Sequence, residues 1–398
     1  MKTFKEILDT YLNFFKEKNH AIIPNYSLVP EGDSSLLFVN SGMFPLVPYL
    51  LGQTHPLGNR LANFQRCVRT EDIEEVGNYR HHTFFNMLGN WSLGDYFKKE
   101  QIENVFELYV EGYGLDINKL FFTVFAGAEA YGAKIPGDEE AIECVKAGFK
   151  KYGIDAEVAD PTPYGQKDFG PGKKYDLNNV KIFPYGIDGN WWTRGWSEGE
   201  PGGPDCEIFY LHEGVPQNEE VHGFEHPNTE SGRFVEIGNS VFMQYIFKNN
   251  SLVEMDKKKV DFGGGFDRIV ASVQNTPDNY QTDLFTDIIK KIEDMSGKKY
   301  GKELDHVYEQ NGDAEQLEYR KHFRVIADHV RASTFLVVDG VKPDRKDQGY
   351  ILRRLIRRAV RSGYALGIEK DFLAELSEVV VEVYKDVYPH LQSESGFS

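Results

Sequence analysis

RCVRTEDIEEVGNYRHHTFFNMLGNWSLGDYFKK, residues Arg66 to Lys99, is the stretch from which the fold is read. It is entered by an apolar-alternating run, Asn63 to Val68, that suits a strand and delivers Arg69 at its end. An acidic connection containing one glycine follows, Thr70 to Asn78. A second strand candidate, His82 to Leu88, then returns the chain antiparallel, which sets Arg69 and Phe85 on one sheet face near the loop. A fixed guanidinium presents a planar fork of donors to phosphate or carboxylate oxygens, and an aromatic ring offers a stacking surface for a base. The plainer alternative is a hairpin with a surface arginine and a core phenylalanine.

The literal string goes further. RCVR followed by HHTFFNMLGNWSLGDYFKK resembles motif 2 of the class II aminoacyl-tRNA synthetases, in the form found in the alanine-specific members. That resemblance implies that Arg69 holds the α-phosphate and the amino-acid carboxylate and that Phe85 stacks on adenine. The loop between Arg69 and Gly77 is shorter than the family's usual Gly-Gly-Lys-His-Asn-Asp form. Either Glu71 or Glu75 is then the acid that meets the adenine amino group.

Composition bounds the rest. A chain of 398 residues, 40% hydrophobic and 14% aromatic, is long enough for two or three domains with a large core. A formal charge of -17 argues against indiscriminate polyanion binding, so any nucleic acid must be met by a local basic patch. Cys67, Cys144 and Cys206 are far apart and lack CxxC spacing, which fits reduced thiols, and neither a disulfide framework nor a zinc site is expected. No apolar run approaches the roughly 18 residues of a membrane span, and charges at Lys5, Asp9, Lys16 and Lys18 break any signal-peptide pattern. A cytoplasmic protein with no membrane partner is expected.

Working outward to the N-terminus, Phe4, Ile7, Leu8, Tyr11, Leu12 and Phe15 recur at helical spacing, predicting a helix over Thr3 to Lys18 capped by Thr3. His20 to Pro24 and the apolar segment Leu36 to Met43 read as strands. Their order resembles the family's motif 1, which implies that Met43 lines an alanine pocket. Read alone, a methionine after a strand is packing.

Beyond Lys99 the pattern gives a helix (Glu100 to Tyr113), a strand (Lys119 to Phe125) and a helical stretch to Tyr152. Asp160 to Asp188 is dense in Gly, Pro, Asn and Asp and is expected as an ordered loop excursion without sheet. In NWWTRGWSEGEPGGPDCEIFY, Asn190 to Tyr210, tryptophans precede a Gly/Pro turn and a strand; small residues admit close backbone approach and a rigid indole can wall a small pocket. The string resembles the family's Asn-Phe-Trp and Gly-Pro-Cys-Gly-Pro-x-Ser/Thr-Glu-Ile segments, which implies that Trp192 is the pocket tryptophan and Glu207 the acid of the strand. Glu200 and Gly202 replace a Gly and a Cys of that turn, and three residues are inserted around Trp196.

Phe234 to Phe247, FVEIGNSVFMQYIF, suits a central strand with Glu236 and Asn239 in or near a site. A divalent ion bridging phosphates is a reasonable partner for Glu236, since hard oxygen ligands suit Mg²⁺. The segment resembles the family's Glu-Ile-Trp-Asn-x-Val-Phe strand, implying that Asn239 and Val241 touch alanine. Gly238 takes the Trp position, which is expected to loosen packing around the pocket unless a neighbouring aromatic compensates. VDFGGGFDRIV, Val260 to Val270, reads as an acid, a glycine turn and a helix start at Phe266, and glycines allow close approach to a nucleotide. Placed after motif 2 it resembles motif 3. Asp261 is then implied to hold the alanine ammonium, with Gly263 beside it, and Arg268 to pack on adenine beside Gly265 and contact the γ-phosphate. The family usually has Thr, Met, Leu and Glu where this chain has Phe262, Gly264, Phe266 and Asp267.

TPDNYQ breaks the periodicity near 275–281, and from Asp283 onward the pattern is helical. Phe323 to Phe335 carries Arg324, Asp328 and Arg331 on one side. QGYILRRLIRRAVRSGY, Gln348 to Tyr364, sets Arg353, Arg357 and Arg361 at i, i+4 steps with Arg354 and Arg358 alongside, while Leu352, Leu355, Ile356 and Ala359 face the core. Such a stack repels itself, so a counter-charge is expected: either acidic neighbours or an RNA backbone. IADHVRASTF, VVDGVKP and GYILRRLIRRAVRSG resemble the family's tRNA-recognition helices. Arg345 stands where the family has the Asn that reads the third base pair of the acceptor stem. In the family the chain continues into an editing domain and an oligomerisation domain, to which nothing here corresponds.

Together these readings predict an α+β fold: a class II antiparallel sheet flanked by helices over residues 1–275, then an all-helical part over 282–398 that meets the acceptor stem. The implied reaction joins alanine and ATP, with Mg²⁺, to alanyl-adenylate and transfers alanine to tRNA(Ala). This part is expected to be monomeric. Two other classes stay open, a binding-only paralogue and an acid-amine ligase that uses no tRNA.

Overall fold

The computed structural model describes residues 1–30, 36–130, 133–160, 175–195, 197–217, 226–229, 231–301 and 314–393. Helix α1 (Phe4–Glu17) starts where expected: the Thr3 side chain accepts from Glu6 N–H while Glu6 reaches back to the Thr3 backbone, a reciprocal cap for two otherwise orphaned donors. Ile7, Leu8, Tyr11 and Phe15 form its buried stripe. It lies against a ten-stranded sheet built from β1 (Ala21–Ile22), β2 (Arg60–Val68), β3 (Phe84–Ser92), β4 (Leu120–Phe125), β5 (Glu157–Val158), β6 (Val180–Tyr185), β7 (Trp191–Thr193), β8 (Pro201–Leu211), β9 (Phe234–Lys248) and β10 (Ser251–Gly265). The spatial order is β1-β2-β3-β10-β9-β8-β4-β6-β5, with β7 paired to β8. The centre, β2 to β4, is antiparallel as expected, but β1/β2, β4/β6 and β5/β6 pair in parallel, so the sheet is mixed.

Three expectations fail here. Leu36 to Met43 is not a strand: Phe38 and Val39 are buried, yet the bonds that tie Val39 to its neighbours, Val39 N–H to Leu28 O and Val68 N–H to Val39 O, both 2.9 Å, do not continue into a ladder. An apolar run signals burial and does not by itself select a ladder. Conversely, Val180–Tyr185 is a fully buried strand inside the stretch expected to be loop; residues 161–174 of that stretch lie outside the described residues. The glycines expected to form a turn instead finish a strand, with Gly263, Gly264 and Gly265 opposite Gly89, Leu88 and Met87.

The C-terminal helices close one side. Helix α2 (Lys98–Phe106) and α3 (Glu139–Lys151) precede α4 (Phe266–Val273), α5 (Thr286–Ser296), α6 (Ala314–Val338), α7 (Asp347–Ala365) and α8 (Leu373–Tyr384). Every charge of the α6 stripe finds a buried partner. Arg324 pairs with Asp278 at 3.1 Å, Asp328 accepts Thr83 N–H at 3.0 Å, and Arg331 pairs with Asp267 at 2.6 Å and also donates to Phe84 O at 2.5 Å. Removing one member would leave the other charge buried and unpaired, which costs about 3 to 5 kcal/mol. The joint near 275–281 is likewise packed: Asn279 N–H donates to Tyr79 O at 3.0 Å, and its amide reaches His82 Nε2 at 2.9 Å. No described helix is long and apolar enough to cross a membrane.

Candidate active site

The β2/β3 ladder runs in register to its end, Cys67 opposite Phe85 and Val68 opposite Phe84, and one further bond, Arg69 N–H to Thr83 O at 3.0 Å, carries it past the strand. This fixes Arg69, whose guanidinium lies 4.9 Å over the Phe85 ring. Both line a cavity of about 130 Å³ with Asp72, Arg80, His81, His82, Met87, Glu236, Gly263, Gly265, Asp267 and Arg268. Asp267 is taken by Arg331, so three arginines face two acids, Asp72 and Glu236, a surplus suited to a polyphosphate. Arg268, in the first turn of α4, donates to the Glu236 carboxylate at 3.3 Å. Strict alternation would put Glu236 and Asn239 on opposite faces. A bulge resolves this: Ile208 and Phe209 pair with Gly238 and Glu236, which skips Ile237 and returns Glu236 to the cavity side.

Beside this cavity β10 sets Asp261 between Val241 of β9 and Trp91 of β3. The Trp91 indole is fully buried and donates to Asp261 Oδ1 at 2.6 Å. It can lie along its strand only because residue 89 is glycine, where a Cβ would stand 2.1 Å from the ring. Burial pushes the Asp261 carboxyl up to about 7, with the indole N–H working in the opposite direction. Met43, Trp192 and Val241 pack into one apolar cluster with Trp91 and Met243. Asn239, opposite Gly263 and Glu207, donates its amide N–H to Asp205, and its Oδ1 is buried with no hydrogen-bond partner among the described residues. A buried orphan acceptor beside a buried carboxyl suits a ligand that brings N–H donors.

Two further acids stand behind Asn239. Burial pushes Asp205 up to about 7 against the amide donors of Asn190 and Asn239. Glu207 is held well above the carboxylate range by burial and by the charges of Glu236 and Asp205, and it accepts from Thr123 Oγ1 at 3.2 Å. Among the described residues no three His, Cys, Asp or Glu side chains converge as ion ligands.

The structure thus brings Arg69, Phe85, Glu236, Gly263, Gly265 and Arg268 around one cavity, and Met43, Trp192, Val241 and Asp261 into the adjoining patch with Asn239 behind it. Glu71 and Glu75 are exposed and do not line the cavity; the acid that does is Asp72, where burial raises the pKa and Arg69 opposes it. Arg80, His81 and Trp91 also went unassigned by sequence reasoning, although each lies inside the quoted stretch. At Gly238 the neighbouring aromatics that would have to compensate are present. Its missing side chain would meet Tyr109 Oη at 2.8 Å and the Phe262 ring at 2.9 Å, so the position faces the core and leaves the pocket wall untouched.

On α7, Arg353, Arg357 and Arg361 are exposed, and with Arg345, Tyr350, Arg354 and Arg358 they line a groove. Leu352, Leu355 and Ala359 are buried beneath. The counter-charge expected for the stack is Glu74, which pairs with Arg354 and, at 2.7 Å, with Arg358; no ion pair among the described residues uses Arg353, Arg357 or Arg361.

The family model described as tRNA synthetases class II (A) matches residues 6–397. The alanine–tRNA ligase of Treponema denticola is 41% identical over 396 residues, covering 98% of this chain and 58% of that protein. That of Pediococcus pentosaceus is 39% identical over 408 residues, covering 100% of this chain and 39% of that protein, and that of Treponema pallidum is 38% identical over 395 residues, covering 98% and 57%. The chain therefore spans 39 to 58% of the length of these relatives. With an arginine-walled cavity at the end of its motif 2 hairpin, a buried acid on its motif 3 strand and a match from end to end, the chain belongs to the class II tRNA synthetases.

Proposed function

We propose that this chain activates alanine with ATP to alanyl-adenylate and pyrophosphate, and transfers the alanyl group to the 3′ end of tRNA(Ala). Residues 1–275 are the catalytic part and 282–398 the part that meets the acceptor stem. The observation that carries the reading is the Asp261 carboxyl, buried, held by the Trp91 indole and flanked by the orphan Asn239 Oδ1, at the edge of an arginine-walled cavity. An α-ammonium matches the two acceptors, and a methyl group matches the apolar patch of Met43, Trp192 and Val241.

The substrate carboxylate is already a nucleophile, so no general base is required. The protein's part is to hold it in line with the α-phosphate and to neutralise charge as it builds. Arg69 supplies a bidentate fork there, Arg268 and Arg80 face the outer phosphates, and Phe85 with Gly263 and Gly265 leaves a flat slot for the base, with Asp72 best placed to accept from its amino group. Glu236 offers a single carboxylate, which fits a Mg²⁺ that keeps its other ligands as phosphate and water; when bound, the ion would neutralise phosphate charge. The alanine patch excludes larger side chains, whereas glycine and serine differ from alanine by only about 1 to 3 kcal/mol. The groove on α7, lined by Arg345, Arg353, Arg357 and Arg361, takes the acceptor stem through its phosphates. The test is ATP-pyrophosphate exchange with each amino acid in turn. Alanine should lead, with serine and glycine well behind; a different leading amino acid, or ATP binding without exchange, overturns the reading.

A further inference from the structure

Arg358 lines the basic groove, yet each of its guanidinium nitrogens is committed to a protein acceptor. Nε donates to His329 Nε2 at 3.0 Å, Nη1 to Glu74 Oε2 at 2.7 Å and Nη2 to Ile73 O at 3.1 Å. Ile73 and Glu74 belong to the single 3₁₀ turn Glu71–Glu74, which also carries Asp72 into the nucleotide cavity. That turn is closed from within at its far end, where the N–H groups of Glu75 and Val76 reach Asp72 O at 3.0 and 3.1 Å, but weakly at its start, where Ile73 N–H reaches Thr70 O at 3.5 Å, and four carboxylates crowd five successive residues, Glu71 to Glu75. Like-charge repulsion works against such a turn, and Arg358 opposes it together with Arg354, which shares Glu74.

The contact continues inward on the other side of Arg358. Because His329 Nε2 accepts from Arg358, the ring proton lies on Nδ1, which donates to Asp328 Oδ2 at 2.9 Å. Asp328 is fully buried. Burial alone would raise its pKa, but the donors from His329 and His82 outweigh that and hold it ionised. Its Oδ1 accepts Thr83 N–H at 3.0 Å and stands 3.5 Å from Nδ1 of His82, a residue of the cavity wall. Thr83 O in turn receives Arg69 N–H. One guanidinium therefore grips both chain segments that frame the cavity: the acidic turn directly, and the lead into β3 through His329 and Asp328.

We propose that Arg358 is a positioning residue of the nucleotide site, acting through Glu74 and His329, and that α7 serves two sites with two sets of arginines. Arg353, Arg357 and Arg361 face outward for a polyanion, and Arg358 faces the acidic turn, where it orders Asp72 and Arg69 for ATP. The proposal rests on the reading of the cavity as the ATP site. The energy of an exposed ion pair is not the point, since such pairs contribute little; a planar fork holding three acceptors at once fixes geometry that a point charge cannot.

The test is equilibrium dialysis with ATP and Mg²⁺, without amino acid or RNA, on wild type, R358A, R358K, E74Q, the E74Q/R358A double variant, and K370A as a control. Lys370 is a cation whose hydrogen-bond partner is Glu375, away from the acidic turn. R358A should weaken ATP binding roughly tenfold, as expected for the loss of charge-assisted hydrogen bonds. R358K should recover part of the loss and K370A should match wild type. The double variant should lose clearly less than the sum of the two single losses, because Glu74 and Arg358 share one contact although Glu74 also pairs with Arg354. In pyrophosphate exchange the defect should appear as a raised KM for ATP with kcat largely kept. Melting curves on R358K and E74Q separate this from a folding defect. R358A with wild-type ATP binding, or additive losses in the double variant, overturns the positioning role. Wild type that fails to bind ATP overturns the cavity assignment itself, and ATP binding without exchange overturns only the proposed reaction.

Discussion

Replacing Asp261 by Asn should make the protein more stable and less active, with a pH dependence that identifies the cause. The carboxyl titrates at 3.8 in an unfolded chain and is pushed up to about 7 in the fold by burial. Below pH 3.8 it is protonated in both states and burial has no effect. Between 3.8 and 7 the folded state retains a proton that the unfolded state has lost, so stability falls as pH rises; above 7 the loss is complete. The linkage relation gives a loss of about 2 kcal/mol at pH 5 and about 4 kcal/mol at pH 8. Asparagine never ionises, and its Oδ1 still accepts from Trp91 Nε1, so the variant should escape both penalties. In a chain of 398 residues the unfolding entropy converts 4 kcal/mol into a melting shift of roughly 5 °C.

The same substitution removes the charge that would pair with the α-ammonium, a loss of about 2 to 3 kcal/mol, or about 30- to 150-fold in KM for alanine. The assay is thermal melting of wild type and variant in matched buffers from pH 5 to 8.5, alongside alanine-dependent exchange at pH 8. A shift that is negative, or the same at every pH, refutes the reasoning on burial. An unchanged KM for alanine refutes the ammonium assignment and leaves the stability argument standing.

Arg69→Lys keeps the charge but loses the fork and the contact with Phe85, so exchange should slow with little change in ATP affinity; the opposite pattern, weak ATP binding with a normal saturated rate, would make Arg69 a binding residue only. Alanine at Arg353, Arg357 and Arg361 should weaken an acceptor-stem duplex of any sequence and reduce the slope of log K against log salt by somewhat under one per arginine, as measured by filter binding at several salt concentrations. An unchanged slope removes these residues from the backbone interface. Arg345→Ala should alter the preference between two minihelices that differ only in a G·U or G·C third pair, read by aminoacylation; equal losses on both would show that Arg345 contacts phosphate alone.

Much of this molecule was legible from local signals, and what was missed has a physical pattern. Helix α1 announced itself through its period and its Thr3/Glu6 cap, and the β2/β3 hairpin through its alternation, because in both the information lies within a few residues. The strand Val180–Tyr185 was hidden by Gly, Pro and Asn on its flanks, and its partners, β4 and β5, join it in parallel across long connections that no local window contains. Leu36 to Met43 failed for the converse reason, since burial of Phe38 and Val39 in an irregular crossing produces the same apolar run as a strand. Which acid of the loop faces the cavity was not legible because Glu71, Asp72 and Glu74 on a 3₁₀ turn, and Glu75 just after it, differ only in phase, and the turn's partners, Arg354 and Arg358, lie 280 and 284 positions from Glu74 along the chain.

The departures from the family's motifs are also coupled in a way that a linear reading does not show. Gly238 stands for a Trp and Phe262 for a Thr, and taken singly each is a drastic change of volume. In the fold they are one change. The Phe262 ring and Tyr109, whose hydroxyl donates to Ile237 O at 2.8 Å, occupy the space into which a side chain at 238 would project. A ring on the neighbouring β10 thus takes up part of the space that a Trp on β9 would need, and Tyr109 borders the rest, so the two departures compensate one another in part. Pleat alternation then protects the chemistry. Phe262 points to the helix-packed face, while Asp261 and Gly263, its neighbours on either side, point to the other. The core can therefore be repacked beneath the strands without moving the carboxyl that Trp91 holds. For the same reason the Trp-to-Gly replacement is no argument for altered amino-acid choice, because the proposed alanine patch lies on the opposite face, with Met43, Trp192, Val241 and the Asp261 carboxyl.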